Sequence, residues 1–122
     1  MPSPSLIAVV DDDESFRTGL VSFVRSLGYA GIGFSSAEDF LNSDIDFAVD
    51  CLVSDVHMTG MSGFELAQHI GRLHKSTSVI LVTGRSEPAL RTKARESGAT
   101  CFLQKPFDPQ VMTECLARAV GD

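Results

Sequence analysis

The chain has 122 residues and a mass of 13.1 kDa, with 43% hydrophobic residues, 21% charged residues and a mean hydropathy of +0.11. That is enough for one globular domain, too short for two ordinary ones and too apolar for a disordered or collagen-like segment. Ten Lys+Arg against sixteen Asp+Glu leave a net charge of −6 and a pI near 4.9, which argues against the domain gripping a nucleic-acid backbone by itself and for a basic partner or a bound cation.

Residues 1–5, Met-Pro-Ser-Pro-Ser, are linker-like and lack the basic start of a secretory leader. Leu6 to Val10 is the longest apolar run; it is far short of the ~20 residues that span a bilayer, so no membrane segment is expected. Its continuous bulky and β-branched residues read as a strand covered on both faces. Phe16, Leu20, Phe23, Val24 and Leu27 then recur at helical spacing up to Gly28, a natural helix terminator. Ala30 to Phe34 is a weaker, Gly-containing run suited to an edge strand. Ser35-x-x-Glu38 has capping-box form and predicts a helix from near Ser36.

Cys51 to Val53 is the third strand, and Ser62-x-x-Glu65 predicts a helix from near Gly63 with Leu66, Ile70 and Leu73 as its core stripe. His69 and His74 are expected on the exposed side of that helix and share no metal-binding spacing with His57. Val79 to Val82 is the fourth strand, followed by a helix from about Glu87 to Ser97 closed by Gly98. Cys101 to Phe102 to Leu103 is the fifth, followed by a helix with Asp108 as cap and Pro109 in its first turn, running to about Val120. Cys51, Cys101 and Cys115 are odd in number and widely spaced, which supports neither a disulfide framework nor a zinc site and reads as a cytosolic protein with small buried thiols.

Strand and helix alternate throughout, which implies an α/β fold with a parallel sheet and right-handed crossovers. For five strands the natural doubly wound, flavodoxin-like order is 2-1-3-4-5, with ligands bound beyond the carboxyl ends of the strands. Those ends carry Asp11-Asp12-Asp13-Glu14, Asp55, Thr83-Gly84 and Lys105-Pro106. Carboxylates gathered there repel one another and call for a cation; hard oxygen ligands without thiol or imidazole point to Mg²⁺. Lys105 and Thr83 add donors for phosphoryl oxygens. Carboxylate nucleophile, Mg²⁺, Lys and Thr together describe phosphoryl transfer onto an aspartate. Asp13 and Glu14 are read as capping and dipole compensation for the helix that follows, and Phe102 as a core aromatic.

In Val9-Val10-Asp11-Asp12-Asp13, Leu52 to Met58 with Met61-Ser62-Gly63, Val82-Thr83-Gly84 and Phe102 to Phe107, the chain resembles the receiver domain of two-component response regulators. The likeness runs from Leu6 to Val120 and makes residues 1–122 one receiver domain; the Val-Thr-Gly and Lys-Pro-Phe contexts look most like FixJ-type transcriptional regulators. The resemblance implies Asp55 as phosphoacceptor, with Mg²⁺ on Asp11, Asp12, Asp55 and the backbone carbonyl of His57. Lys105 and Thr83 would bind phosphoryl oxygens, Thr83 and Phe102 would form the switch, and Lys105-Pro106 would be a cis peptide. It also implies a sensor histidine kinase as donor, a DNA-binding output domain outside this chain, a phosphorylation-dependent homodimer, a cytoplasmic setting and no steady enzymatic turnover. Thr59 departs from the family, which usually has proline there, and a more mobile loop is expected. His57 occupies a position that tunes phosphoryl lifetime across the family.

A second family shares part of the pattern. Asp11-x-Asp13, Thr83 and Lys105 resemble haloacid-dehalogenase-type phosphatases, with Asp11 as nucleophile and Asp13 as acid/base. That family requires an acidic strand end after its lysine, whereas the aspartates after Lys105 are Asp108 and Asp122. A flavodoxin-like cofactor binder would need a Ser/Thr/Gly-rich phosphate loop where this chain has Asp-Asp-Asp-Glu.

Overall fold

The structure, a computed structural model, describes residues 4–45, 48–74 and 76–121, so the first residues of the linker-like stretch and Asp122 lie outside the described residues. The strands are β1 (Leu6–Val10), β2 (Ala30–Phe34), β3 (Cys51–Asp55), β4 (Ser78–Thr83) and β5 (Cys101–Gln104). The helices are α1 (Glu14–Ser26), α2 (Ala37–Leu41), α3 (Gly63–Leu73), α4 (Pro88–Glu96) and α5 (Pro109–Val120). Every neighbouring strand pair is parallel and the order is β2-β1-β3-β4-β5, the doubly wound arrangement expected from the alternation.

β3 and β4 run further than their apolar cores, through Ser54-Asp55 and to Thr83. The ladder is made by backbone groups, and Asp55 stays in register opposite Val82 although its side chain is charged. Polar strand ends are thereby held as rigidly as the apolar residues before them.

Side-chain alternation divides the core into two layers. Ile7, Val9, Val53, Ile80 and Val82 pack with Leu20 and Val24 of α1 and Met112 and Leu116 of α5. Ala8, Val10, Leu52 and Leu81 pack with Phe40 of α2, Leu66 and Ile70 of α3 and Ala94 of α4. Cys51, Cys101 and Cys115 are buried as free thiols. His69 and His74 are half-buried, not on an exposed helix face: His74 is the C-cap of α3 and its N–H reaches Ile70 O at 2.7 Å.

The predicted capping box at Ser62 and Glu65 is present. The one at Ser35 and Glu38 is not. The cap of α2 is Ser36, whose hydroxyl accepts from Asp39 N at 3.0 Å. Glu38 is committed elsewhere: its Oε2 accepts from Met61 N at 2.9 Å, across 23 residues of sequence.

Candidate functional site

The carboxyl ends of β1, β3 and β5 bring Asp11, Asp55 and Lys105 together. Asp11 is 1% and Asp55 8% exposed. Lys105 Nζ lies 2.8 Å from Asp11 Oδ2 and 3.4 Å from Asp55 Oδ1, so one ammonium bridges two carboxylates that came 44 residues apart. Its other side faces the ring of Phe16 in α1, 3.8 Å from the centroid, a cation–π contact in a partly desolvated site. Asp12 is exposed beside them, and oxygens of Asp11, Asp12 and Asp55 all lie within 4.8 Å of one another.

Further contacts fix Asp11. Its Oδ1 accepts from Asp13 N at 2.9 Å and its carbonyl accepts from Arg17 Nη1 at 2.7 Å. Asp13 is the N-cap of α1 and accepts from Phe16 N at 3.2 Å. That use of its carboxylate matches the capping role and leaves the phosphatase arrangement, in which Asp13 would serve as acid/base, without its second group.

Burial of Asp55 pushes its carboxyl above the ordinary carboxylate range; the charge of Asp11 adds to this, and Lys105 and His57 oppose it less than burial raises it. A carboxylate in this setting is poorly solvated and gains from a second cation. The donor set is all carboxylate oxygen, with no thiol or imidazole in the cluster, and such a set fits a hard divalent ion. A cavity of about 400 Å³ opens beside it, lined by Asp12, Val56, His57, Met58, Thr59 and Ser62.

Thr83 is 1% exposed and its Oγ1 accepts from Arg85 N at 3.1 Å. The hydroxyl keeps its own hydrogen to donate. Lys105 N donates to Thr83 O at 2.6 Å and the Lys105–Pro106 peptide is cis. Phe102 is half-buried and packs in the layer of α2 to α4, with the guanidinium of Arg91 5.5 Å from its ring centroid. His57 is half-buried, and its Nε2 is buried with no hydrogen-bond partner among the described residues.

The β3–α3 loop is shaped by contacts that no local pattern announced. A Cβ at Gly63 would collide with the Asp55 carbonyl and stand 2.9 Å from Val56 Cα, so only glycine lets α3 begin against the end of β3. Gly60 has φ +83°, a conformation favouring glycine. The contact of Glu38 with Met61 N ties down the loop that carries Thr59 where proline is usual. No sequence signal marked Glu38 for this contact, since Ser35-x-x-Glu38 reads as a local capping box; Phe16 had no signal beyond helical spacing and Arg17 had none.

Residues 7–117 match the model of the response regulator receiver domain. The chain is 33% identical over 121 residues to the transcriptional regulatory protein FixJ of Azorhizobium caulinodans, covering 99% of this chain and 57% of that protein. It is 33% identical over 115 residues to nodulation protein W of Bradyrhizobium diazoefficiens, covering 94% and 51%. The crystal structure of FixJ-N superposes with a TM-score of 0.86 at 33% identity, covering 98% of this chain and 96% of that one. The chain thus spans about half the length of the curated relatives it matches. With the sheet order, the acidic strand ends and a family match over nearly its whole length all in agreement, the chain belongs to the response regulator receiver domains.

Proposed function

We propose that this chain, over residues 1–122, is a single phosphorylation-activated signalling switch in which Asp55 accepts a phosphoryl group from the phosphohistidine of a sensor histidine kinase. The observation that carries the reading is the bridge from Lys105 Nζ to both Asp11 and Asp55, with three carboxylates converging within 4.8 Å. Asp11, Asp12 and Asp55, with the His57 carbonyl, would hold Mg²⁺. When bound, Mg²⁺ would supply positive charge that offsets the negative charge of the carboxylates and the phosphoryl group.

A carboxylate oxygen of Asp55 attacks phosphorus; the new P–O bond forms as the P–N bond to the donor imidazole breaks. Lys105, already oriented by Asp11 and the Phe16 ring, donates to one phosphoryl oxygen, and the Thr83 hydroxyl donates to another. Moving Thr83 toward the phosphoryl group leaves room for Phe102 to turn inward and reshapes the surface of α4, β5 and α5. The effect is a population shift between two arrangements of one fold.

The reading extends to a phosphorylation-dependent homodimer and to a DNA-binding output domain outside this chain, in a cytoplasmic regulator without steady turnover. Support comes from relatives about twice as long, one of them named a transcriptional regulatory protein. Among the described residues no helix is long and apolar enough to cross a membrane.

The test is intact mass spectrometry after incubation with acetyl phosphate and Mg²⁺. Wild type gains one phosphoryl group and Asp55→Asn gains none; equal labelling of the two proteins would overturn the assignment. Sustained hydrolysis of a generic phosphomonoester at a rate lost in Asp13→Asn would instead favour the phosphatase arrangement.

A further inference from the structure

The segment from Val56 to Ser62 joins β3 to α3, contains no proline and turns at Gly60, whose φ is +83°. Such a segment keeps much backbone freedom unless other contacts remove it. Its ends are held. Val56 N donates to Val82 O at 2.9 Å, Gly63 N donates to Val56 O at 3.0 Å, and Ser62 with Glu65 closes the cap of α3. Between those ends, a single hydrogen bond among the described residues reaches residues 57–61, from Met61 N to Glu38 Oε2 at 2.9 Å. Met58 and Met61 also pack against the layer of α2 to α4, but flexible thioether chains set the depth of a loop more than the direction of its peptide groups.

Glu38 is placed to supply what that packing does not. It lies in the first turn of α2, whose cap is already made by Ser36 with Asp39 N at 3.0 Å, so its own helix leaves the carboxylate unused. A Cβ built on Gly60 would stand 2.8 Å from Glu38 Oε2 and 3.3 Å from Oε1; the carboxylate therefore covers the bend at Gly60 while it accepts from Met61 N. A carboxylate acceptor makes this bond stronger than a neutral one would. The exposed Glu38 stands on a buried anchor: Phe40 of α2 is 0% exposed and meets Phe34 of β2 edge to face at 5.4 Å. Phe34 O in turn accepts from Asp11 N at 3.1 Å. The loop is thus tied to the same frame that holds Asp11.

We propose that Glu38 is a positioning residue for the cation site: through Met61 N it fixes the loop so that the His57 carbonyl is presented beside Asp11, Asp12 and Asp55. Glu38 would touch neither the cation nor the phosphoryl group. Without the tether, residues 57–61 sample further backbone arrangements, and binding of Mg²⁺ has to order them, which lowers affinity although every ligand is still present. This role rests on the Mg²⁺ reading of the site; the tether itself does not.

The experiment follows the amide shifts of the full chain during titration with magnesium chloride, in wild type and in variants at Glu38, with urea unfolding of each protein alongside. Glu38→Ala should bind Mg²⁺ about tenfold more weakly, and the amides of residues 57–61 should exchange with solvent faster before any metal is added. Glu38→Gln loses the charge but keeps an oxygen for Met61 N, and should bind Mg²⁺ nearly as tightly as wild type. Glu38→Asp keeps the charge on a side chain one methylene shorter, and should weaken binding as Glu38→Ala does. A Glu38→Ala protein with wild-type Mg²⁺ affinity would overturn the assignment whatever its urea midpoint, because a merely structural contact changes the midpoint alone. Equal weakening in Glu38→Ala and Glu38→Gln would overturn it as well, in favour of attraction between the cation and the Glu38 charge. Absence of any Mg²⁺ response in wild type would overturn the metal reading and this role with it, whereas a wild-type response unchanged in Glu38→Ala and Glu38→Asp overturns this role alone.

Discussion

At one edge of the same sheet, two faces are built with different strengths of contact. Asp11, Asp55 and Lys105 lie toward α1 and α5, joined at 2.8 and 3.4 Å by buried or nearly buried charge, with Phe16 of α1 closing over the ammonium. Thr83 and Phe102 continue the alternation of Leu81 toward α3 and α4. Beyond backbone pairing and packing in that layer, their side chains make only uncharged or weak contacts, the Thr83 hydroxyl with Arg85 N at 3.1 Å and the Phe102 ring with Arg91 at 5.5 Å, among the described residues. The difference has a physical sense. In the proposed switch, the groups that would meet a phosphoryl group in fixed geometry are positioned by costly-to-break charge pairs. The groups that would move are held by contacts worth little enough for a bound group's differential affinity to overcome.

The charged face should give the largest responses. Lys105→Ala leaves Asp11 and Asp55 facing each other without their cation and should cost about 3 kcal/mol in urea unfolding at neutral pH. A cost below that of the Thr83 change described below would dissolve the distinction between the faces. Asp55→Asn on the same cluster should act with the opposite sign. Because burial raises the Asp55 pKa above its ordinary 3.8, the folded chain holds a proton through a pH interval in which the unfolded chain has lost it. Stability contributed by this site is therefore fully present below the ordinary value and falls as pH rises through the raised one. Asp55→Asn should raise the urea midpoint at neutral pH, with the gain vanishing under more acidic conditions; a midpoint lowered at neutral pH would mean that the pairing with Lys105 outweighs burial.

Next in size is the loop behind the acceptor. Gly63→Ala drives a Cβ into the Asp55 carbonyl and Val56 Cα, both backbone, and should cost about 2 kcal/mol. Phosphoryl uptake by Asp55 should fall with it, since the strand end and helix start cannot both keep their places; intact uptake would show that the loop adapts independently of the acceptor.

The readout face should respond weakly in stability and strongly in coupling. Thr83→Val removes the acceptor for Arg85 N and should cost about 1 kcal/mol. Asp55 should still be labelled, while the amide shift changes produced by beryllofluoride around Phe102 and α4 disappear. A full wild-type shift pattern would remove Thr83 from the coupling route. Arg91→Ala, smallest of all, takes the cation from the Phe102 ring for about 0.5 kcal/mol. It should leave labelling of Asp55 unchanged and move the Phe102 ring resonances of the unphosphorylated protein toward their beryllofluoride-bound positions.

Much of this layout was legible in the chain because it depends on near neighbours. Apolar runs of three to five residues mark strands, Gly28 and Gly98 with φ of +96° and +92° end helices, and Ser62 with Glu65 caps α3. Parallel topology follows from the alternation, and it delivers Asp11, Asp55, Thr83 and Lys105 to one edge without any knowledge of distances. The opposite facing of Phe102 and Lys105 was likewise contained in their spacing along one extended segment.

Folding in three dimensions settled what spacing leaves open. Ser35-x-x-Glu38 and Ser36-x-x-Asp39 are both acceptable caps in isolation; the second forms because Glu38 reaches Met61 on a loop 23 residues away. Nothing near Phe16 marks it as the surface beneath Lys105, and nothing near Arg118 marks Cys101 as its partner, since each pair is assembled only when a helix packs on a strand. The required glycine at position 63 is of the same kind: its φ is unremarkable, and the constraint is the Asp55 backbone pressed against it. Local periodicity encodes which side of an element a residue occupies, but the identity of what lies opposite is a property of packing between elements, and it exists only in the folded chain.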